Sequence, residues 1–575
     1  MNAAPPVETL VTDHLDLWTA ALKRKSTAGR SSSGKVELYG IRKLRELILE
    51  LAVRGLLVPQ DPNDEPASEL LKKIAAEKAK LVKAGKIKKG KSLEGIVEAE
   101  KPFQLPNGWE WVRLGNAMTK ITDGTHHSPP NGLSGDYLYI SAKNIKEDGV
   151  QLSNATYVAE DVHLEIFSRC DPKPGNILYI KDGATTGIVT INNLHEPFSM
   201  LSSVALLKQP TQIANKYLLF ALRAPFFYQE MRAGMTGVAI TRVTLKKLEE
   251  AVIPLPPFTE QHRIVAKVDE LMALCDQLEQ QTDASLGAHQ TLVETLLSAL
   301  TSAADHAQFA SAWQRIACHF DTLFATEESI AQLKQTILQL AVMGKLIPQN
   351  PNDEPASELL KKIAAEKAKL VKEGKIKKGK PQLPIAEEEK PFKVPAGWKL
   401  IRFGDLLINR DSERIPLSVD ERATRRGEYD YYGASGVIDS IDAYLFDKPL
   451  LLIGEDGANL INRSTPIAFM AYGKYWVNNH AHVLDGYSEG LLLYVCLYIN
   501  AISLEPYVTG TAQPKMNQAK MNGIVVAIPP LAEQHRIVAK VDELMALCDQ
   551  LKSRLSDAQT TQLHLADALV ERAIC

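Results

Sequence analysis

The 575-residue chain reads as an α+β protein in which a duplicated helical frame is interrupted by two strand-bearing inserts. Three observations predict this. One long repeat recurs at a fixed offset, and a second repeat recurs at a different offset. The segments between them share almost nothing but sparse glycines and a closing motif.

The first repeat runs from Pro62 to Lys83 and returns unchanged from Pro351 to Lys372, an offset of 289 residues. Similarity at that offset extends from Leu51 to the pairs Gly108-Trp109 and Gly397-Trp398. The second repeat, Glu260 to Leu278, recurs from Glu533 to Leu551 at an offset of 273. The unequal offsets mean that the intervening inserts, roughly 110–255 and 399–528, differ in length. A solenoid would need at least three short units, whereas here there are two long ones. The division follows as 1–104, 105–256, 257–393, 394–529 and 530–575, with frame and insert alternating.

Within the second repeat, Ile264, Val268, Leu271, Cys275 and Leu278 are spaced as an a/d seam of a coiled coil. Ile537, Val541, Leu544, Cys548 and Leu551 repeat it, so the two seams pack either on each other or on equivalent surfaces. An ordinary bundle helix is the plainer reading. Prolines just before each seam (Pro254, Pro256 and Pro257; Pro529 and Pro530) mark a strand-to-helix junction. Leu292, Leu296 and Leu300, then Leu333, Ile337 and Leu340, suggest a long, interrupted helix through the central frame. Leu44, Ile48 and Leu51 repeat the last part near the N-terminus. Three frame pieces can thus complete two equivalent helical units, the first piece supplying what the C-terminal end lacks.

Nine lysines against one glutamate, Glu77, lie between Lys72 and Lys91. Residues Ala67 to Lys83 favour a helix, and Gly85 to Lys91 a basic loop. Phosphate contact suits the loop, and a solvated face suits the helix.

Hydrophobic residues make up 45% of the chain and charged residues 23%, as in an ordinary globular protein of several domains. No apolar run is long enough for a membrane span, and the first residues lack the pattern of a signal peptide. Six cysteines form no CxxC pair, which fits a reducing cytoplasm. A net charge of −3 argues against coating DNA by bulk electrostatics but leaves room for local basic faces.

Several motifs fail on context. Gly85 to Ser92 satisfies the Walker A spacing, but a lysine-rich helix precedes it instead of a buried strand, and the twin copy ends Gly379-Lys380-Pro381. ATP binding is therefore not expected. Leu255-Pro256-Pro257-Phe258 resembles an aminomethyltransferase signature but has leucine where a polar residue must hold the amino group. His126-His127 lacks companion ligands at metal spacing, and no nuclease cluster is present. The expectation is a chain without a catalytic site, metal or cofactor of its own.

Each insert opens with Pro-x-Gly-Trp (Pro106 to Trp109; Pro395 to Trp398) and closes with Pro-Pro-x-x-Glu-Gln-x-x-Ile (Pro256 to Ile264; Pro529 to Ile537). This doubled set, in order, resembles the specificity subunit of type I restriction–modification systems over nearly the whole chain. The resemblance implies two mixed α/β target-recognition domains, each reading one half of a split DNA site. It also implies long antiparallel coiled-coil-like helices with pseudo-twofold symmetry between them. The implied partners are double-stranded DNA, two adenine-methyltransferase subunits and restriction or motor subunits, with the specificity subunit itself non-catalytic. Inverted readers expect half-sites about one helical turn apart, and unlike inserts expect an asymmetric target.

Base reading needs side-chain donors and acceptors on loops that can enter a groove. In the first insert the candidates are Thr122, Asp123, Thr125, His126, His127 and Ser128 around Gly124. Ser141, Lys143 and Asn144 follow an alternating strand, and Lys181, Thr185 and Thr186 follow the apolar strand Ile177 to Ile180. In the second insert Glu455 and Asn459 follow Leu450 to Ile453, joined by Tyr431, Tyr432, Ser435, Asn478, Asn479 and His480. Asp-Gly-Ala after a buried strand is common to both inserts. Exit loops Thr236 to Arg242 and Thr509 to Asn517 hold Arg242 and Lys515 at matching positions, which suits phosphate contacts. Each loop could instead be a glycine turn kept for hairpin geometry. Two other functions remain open: a coiled-coil adaptor holding two protein-binding domains, and a specificity subunit of a methylation-only system.

Overall fold

The computed structural model describes residues 7–24, 36–88, 92–233, 235, 242–377, 382–510 and 513–574. The chain forms two compact units. One holds the described residues up to 283, together with 559–574; the other holds 284–558. Among the described residues no helix is long and apolar enough to cross a membrane, and five cysteines are free thiols.

Helix Phe258–Ser302 gives its first part to one unit and its last part to the other, and helix Leu531–Ile574 does the same in reverse order. In the first unit, helix Tyr39–Val53 buries Ile41, Leu44, Ile48 and Leu51 in one core with the seam Ile264, Val268, Leu271 and Cys275. Ala566 completes that core, with Leu563, Leu569 and Val570 packed against it. Arg45 bridges to Asp276 at 2.7 Å, and the Tyr39 hydroxyl donates to Asp567 at 2.7 Å. In the second unit, helix Glu327–Val342 packs with Val293, Leu297 and Leu300 and with the seam Ile537, Val541 and Cys548. Lys334 pairs with Asp549, the equivalents of Arg45 and Asp276.

Each seam is therefore buried on an equivalent surface within its own unit. Residues 559–574 do for the first unit what 286–301 do for the second, so the C-terminal end is completed by the N-terminal frame piece. One register differs from expectation. Leu292 is 51% exposed and Leu296 half-buried, while Val293, Leu297 and Leu300 carry the packing. Steps of four residues drift around a 3.6-residue turn, and the 4,3 spacing of 293, 297 and 300 holds the face.

The lysine-rich helices span Ala67–Lys83 and Ala356–Lys372, burying Ala67, Leu70 and Ile74 and their counterparts Ala356, Leu359 and Ile363. Gly85 and Gly374, at φ +69° and +71°, turn the chain out of each helix, a conformation L side chains disfavour.

Each insert begins and ends on one two-stranded ribbon. Strand Glu110–Arg113 pairs antiparallel with Val252–Leu255, Arg113 opposite Val252. Strand Lys399–Arg402 pairs with Val525–Ile528 in the same register, Arg402 opposite Val525. Although the inserts do not match in sequence, their central sheets share a topology. In the first, the order is Lys120–Asp123, Val204–Lys208, Ile177–Ile180, Val189–Ile191, all antiparallel. In the second it is Ile408–Asn409, Ala481–Asp485, Leu450–Gly454, Ala468–Ala471, again all antiparallel. Ile177 and Tyr179 face one core and Leu178 and Ile180 another, so burial on both faces accounts for the unbroken apolar run. A second sheet is built on a parallel pair in each insert: Tyr137–Ile140 with Phe198–Met200, and Arg426–Gly433 with Lys474–Val477. In the second insert a longer hairpin, Arg426–Gly433 with Gly436–Ile441, extends that sheet.

Candidate nucleic-acid interface

The frame meets each insert through one set of hydrogen bonds, repeated. The indole of Trp109 donates to Glu260 at 3.0 Å, and Trp398 donates to Glu533 at 3.0 Å. The Gln60 amide also donates to Glu260 at 3.3 Å, and Gln349 to Glu533 at 3.4 Å. Arg263 pairs with Asp64 and Arg536 with Asp353, both at 2.6 Å. Gln261 and Gln534 donate to the carbonyls of Pro256 and Pro529. The doubled Trp and Glu-Gln motifs are thus the two halves of a staple closing each insert.

Two further pairs of bonds, one from the frame and one within the inserts, repeat with backbone acceptors. Lys78 donates to the carbonyls of Gly115 and Asn116, and Lys367 to those of Gly404 and Asp405. Tyr217 donates to Pro254 O and Tyr494 to Ala527 O. Carbonyl sockets do not depend on which side chains the insert carries.

In the first insert three expected loops come together on a segment the sequence did not single out, residues 201–203. Ser202 N donates to Thr125 O, Ala142 N to Ser203 Oγ, and Lys181 N to Ser203 O. Beneath them Asp123, nearly fully buried, accepts from Arg169 at 2.6 Å and lies 3.3 Å from His126 Nε2 and 3.5 Å from Lys181 Nζ. Arg169, at the end of helix Glu160–Arg169, is a further residue the loop-based reading missed. Arg242 is exposed and its backbone bridges to Asp182; residues 236–241 of its loop lie outside the described residues.

His126, His127, Ser128, Lys143 and Thr185 face solvent. Others expected there are committed inward. Asn144 is buried, accepting from Ser141 N and donating to Gln151 O. Thr186 donates to Gly183 O, Thr122 is buried, and Thr125 spends its hydroxyl on His127 O. Ser141 is half-buried and Lys181 buried.

The second insert repeats the plan with other residues. Glu455 N donates to His480 O, Gly457 N to Pro514 O, and Met516 N to Glu455 O, joining three expected loops. Asn478 N donates to Tyr432 O and brings in the fourth. An added Cβ at Gly454 would stand 2.7 Å from Ala434 O, so glycine allows that approach. Asp456 pairs with His480 at 2.8 Å and its backbone bridges to Lys515, as Asp182 does with Arg242. The Glu455 carboxylate lies 3.0 Å from Arg414 and 3.2 Å from Lys515.

Arg414, Asp411 and His482 were not found from the sequence, because the signal sits in their convergence. Buried His482 holds Asp411 at 2.6 Å through Nδ1 and Met516 O at 2.9 Å through Nε2. Burial pulls the imidazole down, but the Asp411 carboxylate and the Met516 carbonyl leave it above its ordinary value. Burial likewise opposes the Asp411 charge, and the imidazole outweighs it, leaving that carboxyl below its ordinary value.

Ser435, Asn479 and His480 are exposed, and Tyr432 is half-buried against Phe469. Tyr431 is fully buried, its hydroxyl accepting from Leu417 N, and Asn478 is buried, accepting from His480 N. Asn459 bonds Thr465, and Asn517 caps helix Gln518–Asn522. These residues shape turns.

Both loop clusters therefore hold carboxylates beneath cations. Arg169 and Lys515 keep about half of their side-chain surface exposed (51% and 53%), whereas Asp123 and Glu455 keep 2% and 12%. Such a face presents donors to phosphates or base edges. Among the described residues no group of histidine, cysteine and carboxylate side chains is placed to hold a metal ion. A helix, not a strand, leads into the Walker-like loop, whose residues 89–91 lie outside the described residues, as do 379–381.

A family model described as "Type I restriction modification DNA specificity domain" matches residues 106–287 and 395–558. The chain is 41% identical to the "Type I restriction enzyme EcoEI specificity subunit" of Escherichia coli, over 99% of this chain and 100% of that protein. It is 42% identical to the "Type I restriction enzyme EcoAI specificity subunit" of Escherichia coli, again over 99% and 100%. Among solved structures, it is similar to the "HsdS subunit from Thermoanaerobacter tengcongensis", at 16% identity over 83% of this chain and 99% of that one, with a TM-score of 0.40.

Proposed function

The chain belongs to the family of type I restriction–modification specificity subunits, and from that premise we propose that it reads an asymmetric, two-part DNA target, one half with each insert. The observation that carries this is the pairing of one repeated staple with two unlike polar loop clusters. The repeated staple makes the same demands on both inserts, so the differences between their loops belong to what the loops touch. The target-recognition domains are assigned to 105–256 and 394–529.

The first half-site is read by His126, His127, Ser128, Lys143 and Thr185, and the second by Ser435, Asn479 and His480. Arg242 and Lys515, bridged to the same Asp-Gly turn in each insert, hold phosphates and fix the register. The frame docks two methyltransferase subunits, and restriction or motor subunits join through them. The specificity subunit performs no chemistry and needs no cofactor.

Sequencing of adenine methylation in cells carrying the system tests this reading. Two unlike half-sites separated by an unread spacer are expected, and exchange of residues 110–255 for another insert should change one half alone. An unchanged target after that exchange would refute it.

A further inference from the structure

The run from Pro62 to Lys88 matches that from Pro351 to Lys377 at every position except Ala84, which becomes Glu373. Packing asks for only part of this identity. Ala67, Leu70 and Ile74 are buried and Lys78 reaches carbonyls, while most of the remaining side chains are exposed. The neighbouring helix shows what the same duplication does to a free surface. Between Tyr39–Val53 and its counterpart at 328–342, the buried Leu44, Ile48 and Leu51 persist as Leu333, Ile337 and Leu340. Exposed Arg42 and the half-buried Lys43 and Glu46, none of them in the core, have become Ala331, Gln332 and Gln335. Positions outside the core have drifted in one helix, while exposed ones have stayed fixed in the next, so the lysine-rich face answers to something outside the fold.

Its charge says what. Lys72 and Lys73 are paired with Glu69 and Glu65. Lys80, Lys83, Lys86 and Lys88 are exposed and without an ion pair among the described residues, and Lys369, Lys372 and Lys377 repeat them. A strip of like charges repels itself unless a polyanion meets it. Duplex DNA offers the same phosphate spacing whatever its bases. One unchanging basic arm beside two unlike inserts fits a partner whose chemistry does not vary with sequence.

We infer that each unit carries a second DNA-binding surface, in which these lysines grip the phosphate backbone flanking the half-site without reading it. The inference rests on the reading that the inserts bind DNA. The test is salt-dependent binding of the full chain, alone and assembled with its methylating subunits. The variants replace Lys80, Lys83 and Lys88 by Ala, and Lys369, Lys372 and Lys377 likewise. The plot of log affinity against log salt should become shallower by about 0.9 for each phosphate no longer neutralised. Affinity should fall roughly tenfold per arm near 0.15 M salt, equally for target and non-target duplexes. The fall should vanish on a duplex trimmed to the target, and Lys→Arg versions should restore binding.

An unchanged slope, or a changed preference between target and non-target, would overturn the inference. So would intact DNA binding combined with failure to assemble, which would make the occupant an acidic protein face. A wild-type chain or complex that binds no DNA would sink the reading of the inserts as well. A wild type that binds with unchanged variants would sink only the arms.

Discussion

The indole nitrogen of Trp109 donates to the buried carboxylate of Glu260, joining the residue that opens the first insert to the helix that follows it. Burial pushes the Glu260 carboxyl above its ordinary value, against the pull of Trp109, Gln60 and Arg263. A raised value means that this group favours the fold below the ordinary carboxylate pKa and that the contribution is lost as pH rises through the raised one. The indole bond supports the ionised form, so Trp109→Phe should cost about 1–3 kcal/mol at pH 8 and less at pH 5. Urea unfolding of the full chain at the two pH values checks this, and a cost independent of pH would contradict it.

The His482–Asp411 pair gives the second insert a different pH profile. The raised imidazole contributes stability present below its ordinary value, lost as pH rises through the raised value. The lowered carboxyl contributes stability present above its ordinary value, lost as pH falls through the lowered value. The pair should therefore hold best in mildly acidic solution. His482→Gln should flatten the alkaline decline seen by thermal unfolding, and an equally steep decline in the variant would exclude the pair as its source.

Arg242→Ala and Lys515→Ala should each weaken binding to all duplexes alike, with the salt slope falling by about 1. His127→Ala should instead lower discrimination within one half-site, by about 1–3 kcal/mol. Competition binding with single-base variants of the target separates these outcomes.

Gly124 cannot carry a side chain where it stands, since an added Cβ would lie 1.7 Å from Met200 O. Gly124→Ala should displace the loop of residues 122–128 at a cost of roughly 2–4 kcal/mol. Recognition by the second insert should survive. Methylation sequencing that shows both half-sites still read would mean that the loop accommodates the methyl group.

The frame was legible because its signals are local. Helix Ala67–Lys83 and strand Ile177–Ile180 stand at the residues that propensity and apolar runs indicate. The shared insert topology was not legible, because it consists of pairings such as Ala205 with Asp123 between strands far apart in sequence. The loop clusters were half legible. Glycines and polar side chains marked each loop, but the segment 201–203 that gathers three of them carries no motif. Asn144 and Tyr431 looked like readers because polarity in a loop does not say whether a side chain is spent on its own turn. Arg169 and His482 escaped notice because their partners, Asp123 and Asp411, lie on other elements.

The core completed by residues 559–574 has a consequence for synthesis. Residues 284–558 are contiguous, so that unit has all its described segments once residue 558 leaves the ribosome. The first unit begins emerging sooner but must wait with part of its core uncovered until Ala566 and Val570 arrive. The half made first is thus the half finished last. A polypeptide released early would carry one closed half and one open, sticky half, a form that proteases and chaperones can distinguish from the finished product.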